Sequence, residues 1–272
     1  MTKRENQTTY FSQIADIYDG QQPLLVRKYS EKHNLIVQMI QFEKQKPFSM
    51  IDLGCGTGTL AQMILQAYPS AAVTCVDISP DMISIAQRKL AKFENRMEFI
   101  VEDLERIKFP RSYEVAVSID AIHHLPHPQK RDLFGKLCNA LTPDGIFLLA
   151  DPIMIESSTL KEKNARLVKE HIQGLIKEGK VSIEEIGKRQ KVKKIAEEQE
   201  IEKDHLCTFG ELNEMLKDSG VGEVECFWRH FDDVIFISCK EKRVTTTESK
   251  WLEYAFEIEP KIDDVLTEGK HE

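Results

Sequence analysis

Between residues 50 and 150, short apolar runs alternate with stretches whose apolar positions recur every three or four residues. The runs Met50–Leu53, Ala72–Val76, Met97–Val101, Tyr113–Ile119 and Ile146–Ala150 predict strands. The intervening stretches predict helices over Thr59–Ala67, with Leu60, Met63, Ile64 and Ala67 on one face, over Ser79–Leu90, and over Gln129–Leu141. Pro80 suits a first helical turn, where its missing N–H costs nothing, and Thr142–Pro143–Asp144–Gly145 reads as a turn before the last of these strands. Strands and helices in this rhythm predict a parallel, doubly wound sheet.

The flanks follow other patterns. Residues 1–9 are polar, and Tyr10, Phe11, Ile14, Ala15 and Tyr18 recur at helical spacing. Leu24–Gln45 predicts one long helix with Leu25, Tyr29, Leu35, Ile36, Met39 and Ile40 turned inward. Residues 153–205 contain no strand pattern and are dense in charge of both signs. Leu160, Ala165, Leu167, Val168, Ile172 and Ile176 mark one amphipathic helix there, with weaker patterns at Ile183–Ile186 and Val192–Ile195. A helix over Phe209–Asp218 closed by Gly220 comes next, then two strands, Val224–Arg229 and Val234–Cys239, around a turn near Phe231–Asp232. The expected organisation is an N-terminal helical lid segment (1–46), a core (47–152), a helical insertion (153–205) that closes over the substrate and sets its choice but not cofactor affinity, a completion of the core (206–240) and an acidic tail (241–272) with an amphipathic stretch at Trp251–Ile258.

Composition narrows the picture. The chain has 272 residues, a formal charge of −8 and 41% hydrophobic residues, an ordinary soluble profile. No apolar run approaches the eighteen or so residues of a membrane span, and no apolar stretch backs the N-terminus, so a cytoplasmic location away from membranes is expected. The cysteines at 55, 75, 138, 207, 226 and 239 form no C-x-x-C pair, which reads as buried thiols and not as zinc ligands. The negative charge disfavours a nucleic-acid partner, although the basic cluster Lys188–Lys194 offers a local phosphate contact; the acids directly after it favour a solvated helix face. A homodimer is compatible with all of this.

The chemistry-bearing stretch is Ile51–Asp52–Leu53–Gly54–Cys55–Gly56–Thr57–Gly58. Three glycines at alternate positions between a strand and a helix let the backbone turn sharply and let a ligand approach. The spacing is neither that of dinucleotide sites nor that of phosphate-binding loops. Asp52 would repel a pyrophosphate and suits a ligand with a cationic group. Asp77 follows at roughly the twenty-residue offset from which an acid reaches ribose hydroxyls.

With Val76–Asp77–Ile78–Ser79 and Glu102–Asp103–Leu104, this stretch resembles the first three motifs of the class I S-adenosylmethionine-dependent methyltransferases. The resemblance covers about residues 10–155, and Cys207–Lys240 more loosely. It implies an α/β fold: a doubly wound, mostly parallel seven-stranded sheet with an antiparallel last strand, here carrying a helical insertion. It implies S-adenosyl-L-methionine as cofactor, with S-adenosyl-L-homocysteine as product. The implied cofactor residues are Asp52 near the amino group, the Gly54–Cys55–Gly56–Gly58 backbone against the methionine part, Asp77 on the ribose with Ile78 and Met82 beside it, and Asp103 with Leu104 on the adenine. Ser118 and Asp120 after strand 4 and an aromatic–acid pair at Tyr18–Asp19 complete the set, the latter on a segment that folds over the cofactor in similar methyltransferases.

Ser118–Ile119–Asp120–Ala121–Ile122–His123–His124–Leu125 resembles the family stretch that separates cofactor from acceptor, which makes His124 and His123 candidates for the reaction itself. Asp151, at the end of strand 5, faces the same cleft or caps the insertion. Asp204–His205 stands where the insertion re-enters the core. Histidines at 123, 124 and 127 invite a metal, but adjacent side chains are expected to diverge, so no metal site is expected. The function expected is in-line methyl transfer to an O, N, C or S atom of a small-molecule acceptor. The rivals are an RNA- or tRNA-modifying enzyme, including one using a modified form of the cofactor, and a non-catalytic cofactor-binding module.

Overall fold

The computed structural model describes residues 18–198 and 203–240. The expected tail, its Trp251–Ile258 stretch and the Tyr10–Ala15 positions lie outside the described residues. Residues 18–25 are helical (α1). Then come α2 (Tyr29–Met39), β1 (Phe48–Leu53), α3 (Thr59–Ala67), β2 (Ala71–Asp77), α4 (Pro80–Leu90), β3 (Met97–Val101), β4 (Tyr113–Ile119), α5 (His127–Ala140), β5 (Leu141–Pro152), α6 (Ser158–Lys177), α7 (Ile183–Glu198), α8 (Phe209–Asp218), β6 (Glu223–His230) and β7 (Asp233–Cys239). Among the described residues no helix is long and apolar enough to cross a membrane.

The strands form one seven-stranded sheet in the order β3-β2-β1-β4-β5-β7-β6. All pairs are parallel except those made by β7, which runs antiparallel between β5 and β6. Alternate side chains of each strand serve opposite faces. Ile51, Leu53 and Phe147 pack with Phe134, Leu137, Leu212 and Leu216 of α5 and α8. Met50, Val115 and Leu148 pack with Ile36, Leu60, Ile64 and Leu90 of α2, α3 and α4. Strands covered on both faces must be largely apolar, which is why β1 and β4 carry apolar residues on both faces.

Local chemistry sets the helix starts. The Ser79 hydroxyl accepts the Met82 N–H ahead of Pro80, and Thr208 with Glu211 closes a reciprocal capping box on α8. The chain reverses its order between β1 and β4, so the cleft where ligands enter such sheets lies beyond the carboxyl ends of these two strands.

Three expectations needed correction. The single helix over Leu24–Gln45 is broken: residues 26–28 turn, Lys28 takes φ 61°, and Ile40 is already extended. The break presents Lys32 and His33, polar in sequence, to the interior. Thr142–Gly145 does not delay β5, which begins at Leu141 and absorbs these residues as an irregularity between the pairs Tyr113–Leu141 and Val115–Ile146. In α6, Leu160 and Ala165 are exposed, and the buried residues are Asn164 and Leu175. A helix that packs on one side of the domain rim buries only a narrow stripe.

Candidate functional site

Two adjoining clefts open at the switch between β1 and β4. One is lined by Asp77, Ile78, Met82, Asp103, Leu104 and His124 among others, the second by Asp52, Cys55, Thr57, Tyr29 and His33 among others. Tyr18, Gly54, Gly56 and Asp120 line both.

The floor is the turn after β1. The N–H groups of Gly54 and Cys55 both bond the Val76 carbonyl, at 2.8 and 2.9 Å, tying the turn to β2. Gly54 has φ +76°, and a Cβ there would lie 2.3 Å from that of Ala121, so no side chain fits. Asp77 is fixed by backbone: its Oδ2 accepts the Gly56 N–H and its Oδ1 the Ser79 N–H, each at 2.9 Å. Burial still raises its pKa despite those donors. Its oxygens keep further lone pairs for donors in the cleft.

Asp52 stands apart. It is 3% exposed, and its Oδ2 has no hydrogen-bond partner. Burial, and then the charge of Asp77, push its pKa up to about 7. A buried carboxylate oxygen without a donor is costly unless a ligand supplies one. A ligand bearing an ammonium group would do so.

Asp120 is held from behind. It adopts φ 52°, and the Lys32 ammonium donates to both its oxygens (2.7 and 2.9 Å) and to Asp233 (2.9 Å) at the start of β7. Lys32 is fully buried, and its pKa is raised: burial lowers it, and the two carboxylates outweigh that. Tyr18 reaches the glycine turn from α1, which is moored by Asp19 to Thr57 and to Lys89 (2.6 Å). Asp103 lines the cleft, its Oδ1 accepting the Glu105 N–H.

The opposite wall carries imidazoles. Residues Ile122–His124 form a single 3-10 turn. Asp151 is 2% exposed and bonds His123 Nδ1 at 2.8 Å. Burial works against a charged His123, yet Asp151 and Asp204 raise its pKa overall. Burial, then His123, depress His124 to about 4, so His124 is neutral at physiological pH. Adjacent histidines were expected to diverge. Here their ring centroids are 3.9 Å apart and both face Asp204, because a 3-10 turn brings neighbouring side chains closer than a strand does.

Most sequence-selected residues therefore meet at these two adjoining clefts. Gly58 and Ser118 line neither. Gly58 abuts Ala86 and Leu90 at the head of α3, and the Ser118 hydroxyl donates to the Leu53 carbonyl. Asp151 and His123 sit behind His124. Reasoning from sequence missed Tyr29, His33, Glu105, Ala121 and Leu125 on the cleft walls and Lys32 behind them. Lys32 and His33 carried no local signal, since they read as the wet face of a helix.

The basic cluster is a helix surface. Lys188 pairs with Glu184 and Lys194 with Glu198, while Arg189 donates to Gln22 of α1. From α6, Asn164 accepts from Arg27, and His171 Nε2 bonds the Leu24 carbonyl at 2.7 Å.

Comparison with known proteins agrees with this geometry. Residues 50–145 match the family model for the methyltransferase domain. A malonyl-acyl-carrier-protein O-methyltransferase of Ilyobacter polytropus is 30% identical over 140 residues, which cover 52% of this chain and 51% of that protein. A carboxy-S-adenosyl-L-methionine synthase of Campylobacter lari is 23% identical over 236 residues, covering 87% of this chain and 96% of the other. The match thus spans about half the length of the first relative and nearly all of the second. Human N-acetylserotonin methyltransferase, solved in complex with S-adenosylmethionine, shares the fold with a TM-score of 0.54 at 13% identity, covering 89% of this chain and 57% of its own. With the motif turn, the acid after β2 and the antiparallel β7 all in place, residues 50–145 carry a methyltransferase domain on the fold of the class I S-adenosylmethionine-dependent methyltransferases.

Proposed function

We propose that this chain binds S-adenosylmethionine along the acidic side of the cleft and transfers its methyl group to a small-molecule acceptor seated against the imidazole side. The observation that carries the reading is Asp52: a buried carboxylate oxygen without a donor, beside a glycine turn, fits the ammonium end of an amino-acid ligand. Asp77 would accept the ribose hydroxyls with the lone pairs its backbone donors leave free, and Asp103 with Leu104 would border the adenine. Tyr18 would close over the cofactor from α1, with Cys55, Ile78, Met82 and Asp120 completing its surroundings.

When bound, the cofactor supplies an activated methyl group on a sulfonium, a good leaving group. The protein's own task is then alignment and exclusion of water. An acceptor that arrives protonated also needs a base. The neutral imidazole of His124 on the cleft wall, backed by the His123–Asp151 pair, would serve as that base. Calorimetry with S-adenosylmethionine and with S-adenosylhomocysteine tests the binding. Micromolar-range affinity is expected, and no heat with either ligand would sink the reading.

A second reading is favoured by one observation. The match to the carboxy-S-adenosylmethionine synthase runs through the insertion, whereas the malonyl-acyl-carrier-protein methyltransferase match covers only half of this chain. The small molecule modified would then be the cofactor itself. Mass spectrometry of the nucleoside that co-purifies separates the two readings, since a carboxylated sulfonium appears only in the second.

A further inference from the structure

His123, His124 and Asp204 each offer one ligand atom, and all three atoms lie within 4.8 Å of one another. The individual separations are suggestive. His123 Nε2 is 3.8 Å and His124 Nδ1 is 3.4 Å from the same Asp204 oxygen. A tetrahedral zinc ion with bonds near 2.1 Å places its ligand atoms about 3.4 Å apart. We propose that these three residues hold a divalent transition metal of the zinc class at the acceptor end of the cleft. The inference rests on reading that wall as the acceptor side.

Three features beyond proximity support it. First, His123 uses its other nitrogen, Nδ1, to bond the buried carboxylate of Asp151 at 2.8 Å. Imidazole ligands to metals regularly donate their second N–H in this way, which fixes the tautomer and aims the ligating nitrogen. Second, Asp204 is delivered by construction. The N–H of neighbouring His205 bonds the His123 carbonyl at 2.7 Å, and the buried Lys130 ammonium donates to the His205 carbonyl. The segment leaving the insertion is thereby laid against the histidine turn. Third, His124 also lines the cleft, so an ion held there would sit in the cleft wall. Two imidazoles and one carboxylate leave a fourth tetrahedral position, the arrangement of catalytic and not of structural zinc sites. An ion with an open position binds an acceptor oxygen and favours its deprotonated form, and in the metal-bound protein it takes over this task from the free His124 imidazole. The acceptor class this implies is an oxygen acid or a hydroxyl beside a second oxygen donor.

The full chain, stripped by chelator and dialysed, is titrated with Co²⁺ by visible absorption and with Zn²⁺ against a chromophoric competitor. One equivalent should bind in a tetrahedral environment without thiolate-to-cobalt charge transfer, with zinc affinity micromolar or tighter. Asp204→Ala should weaken zinc at least a hundredfold with unchanged circular dichroism. Asp151→Asn, which leaves all three ligands, should weaken it by roughly ten- to a hundredfold. No uptake at millimolar Zn²⁺, a thiolate spectrum, or equal affinity in the wild type and both variants would each overturn the site. Calorimetry of the stripped protein with S-adenosylmethionine reports the cofactor reading separately: heat without metal uptake removes only the metal, and uptake without heat removes only the cofactor.

Discussion

The two walls of the cleft are built by different means. The acidic wall, with Asp52, Asp77 and Asp120, stands at the ends of three adjacent strands, and backbone N–H groups or a buried ammonium hold two of its carboxylates. The imidazole wall joins a 3-10 turn, the end of β5 and a segment some eighty positions further along the chain. Strand ends in a parallel sheet are rigid and recur in register, which suits a ligand common to a family. A wall assembled from an insertion can vary without disturbing the sheet, which suits a ligand that differs between relatives.

This contrast is testable at several strengths. The largest effect is expected at Lys32, which serves the acidic wall from outside the cleft. Lys32→Met leaves the partly buried Asp120 and Asp233 facing each other without their cation, which should cost up to about 3 kcal/mol of stability in urea denaturation. A loss below 1 kcal/mol, as for a surface ion pair, would show that the clamp matters little.

Next come paired substitutions, one per wall. Asp77→Ala removes an acceptor of charge-assisted bonds worth about 1.5–3 kcal/mol each, so cofactor affinity should fall at least tenfold with the fold retained. Asp151→Asn should leave that affinity alone and lower turnover by about tenfold or more, because His123 loses the carboxylate that orients it. If both variants change cofactor affinity equally, the walls do not divide the labour.

Asp52 sharpens the comparison through pH. Its folded-state pKa of about 7 lies above the ordinary 3.8, so it favours the folded state at low pH and that contribution is lost as pH rises through 7. Asp52→Asn should therefore melt higher than the wild type at pH 8, with the difference vanishing towards pH 4. Cofactor affinity of the wild type should fall about tenfold as pH drops below 7 and the carboxyl takes up a proton, and the variant should show a flat, weaker profile. A variant less stable than the wild type at pH 8 would mean that Asp52 already has a partner.

The smallest effect concerns the insertion. Its hydrogen bonds reach Gln22, Leu24 and Arg27, on or just after α1, which carries Tyr18 over the acidic wall. These contacts run against the expectation that residues 153–205 set acceptor choice and not cofactor affinity. His171→Ala should loosen α1 and weaken cofactor binding only severalfold, as befits one hydrogen bond. Hydrogen exchange of α1 and α6 should slow on cofactor binding more than that of β1 and β4, which are already protected. Exchange unchanged by ligand would make the insertion peripheral.

What the sequence determined by itself was whatever depends on near neighbours. Apolar runs, helical periods and the Pro80 and Gly220 punctuation located β3, β4, α3 and α8 to the residue. The glycine turn and its acids were legible because strand, turn and helix are contiguous. Tertiary structure alone decided the rest. A break at Lys28 turned the polar Lys32 and His33 inward, and no local pattern distinguishes a buried charge from a wet one when its partners, Asp120 and Asp233, lie 88 and 201 positions away. The same holds for Asp204, which meets His123 and His124 only because the chain leaves the sheet after β5 and returns beside the residues it left. Met154 N–H bonds the Cys207 carbonyl at 2.7 Å at that root. Local energetics choose elements. Long-range closure, whose entropy is offset only by the packing of the whole domain, chooses which of their side chains meet.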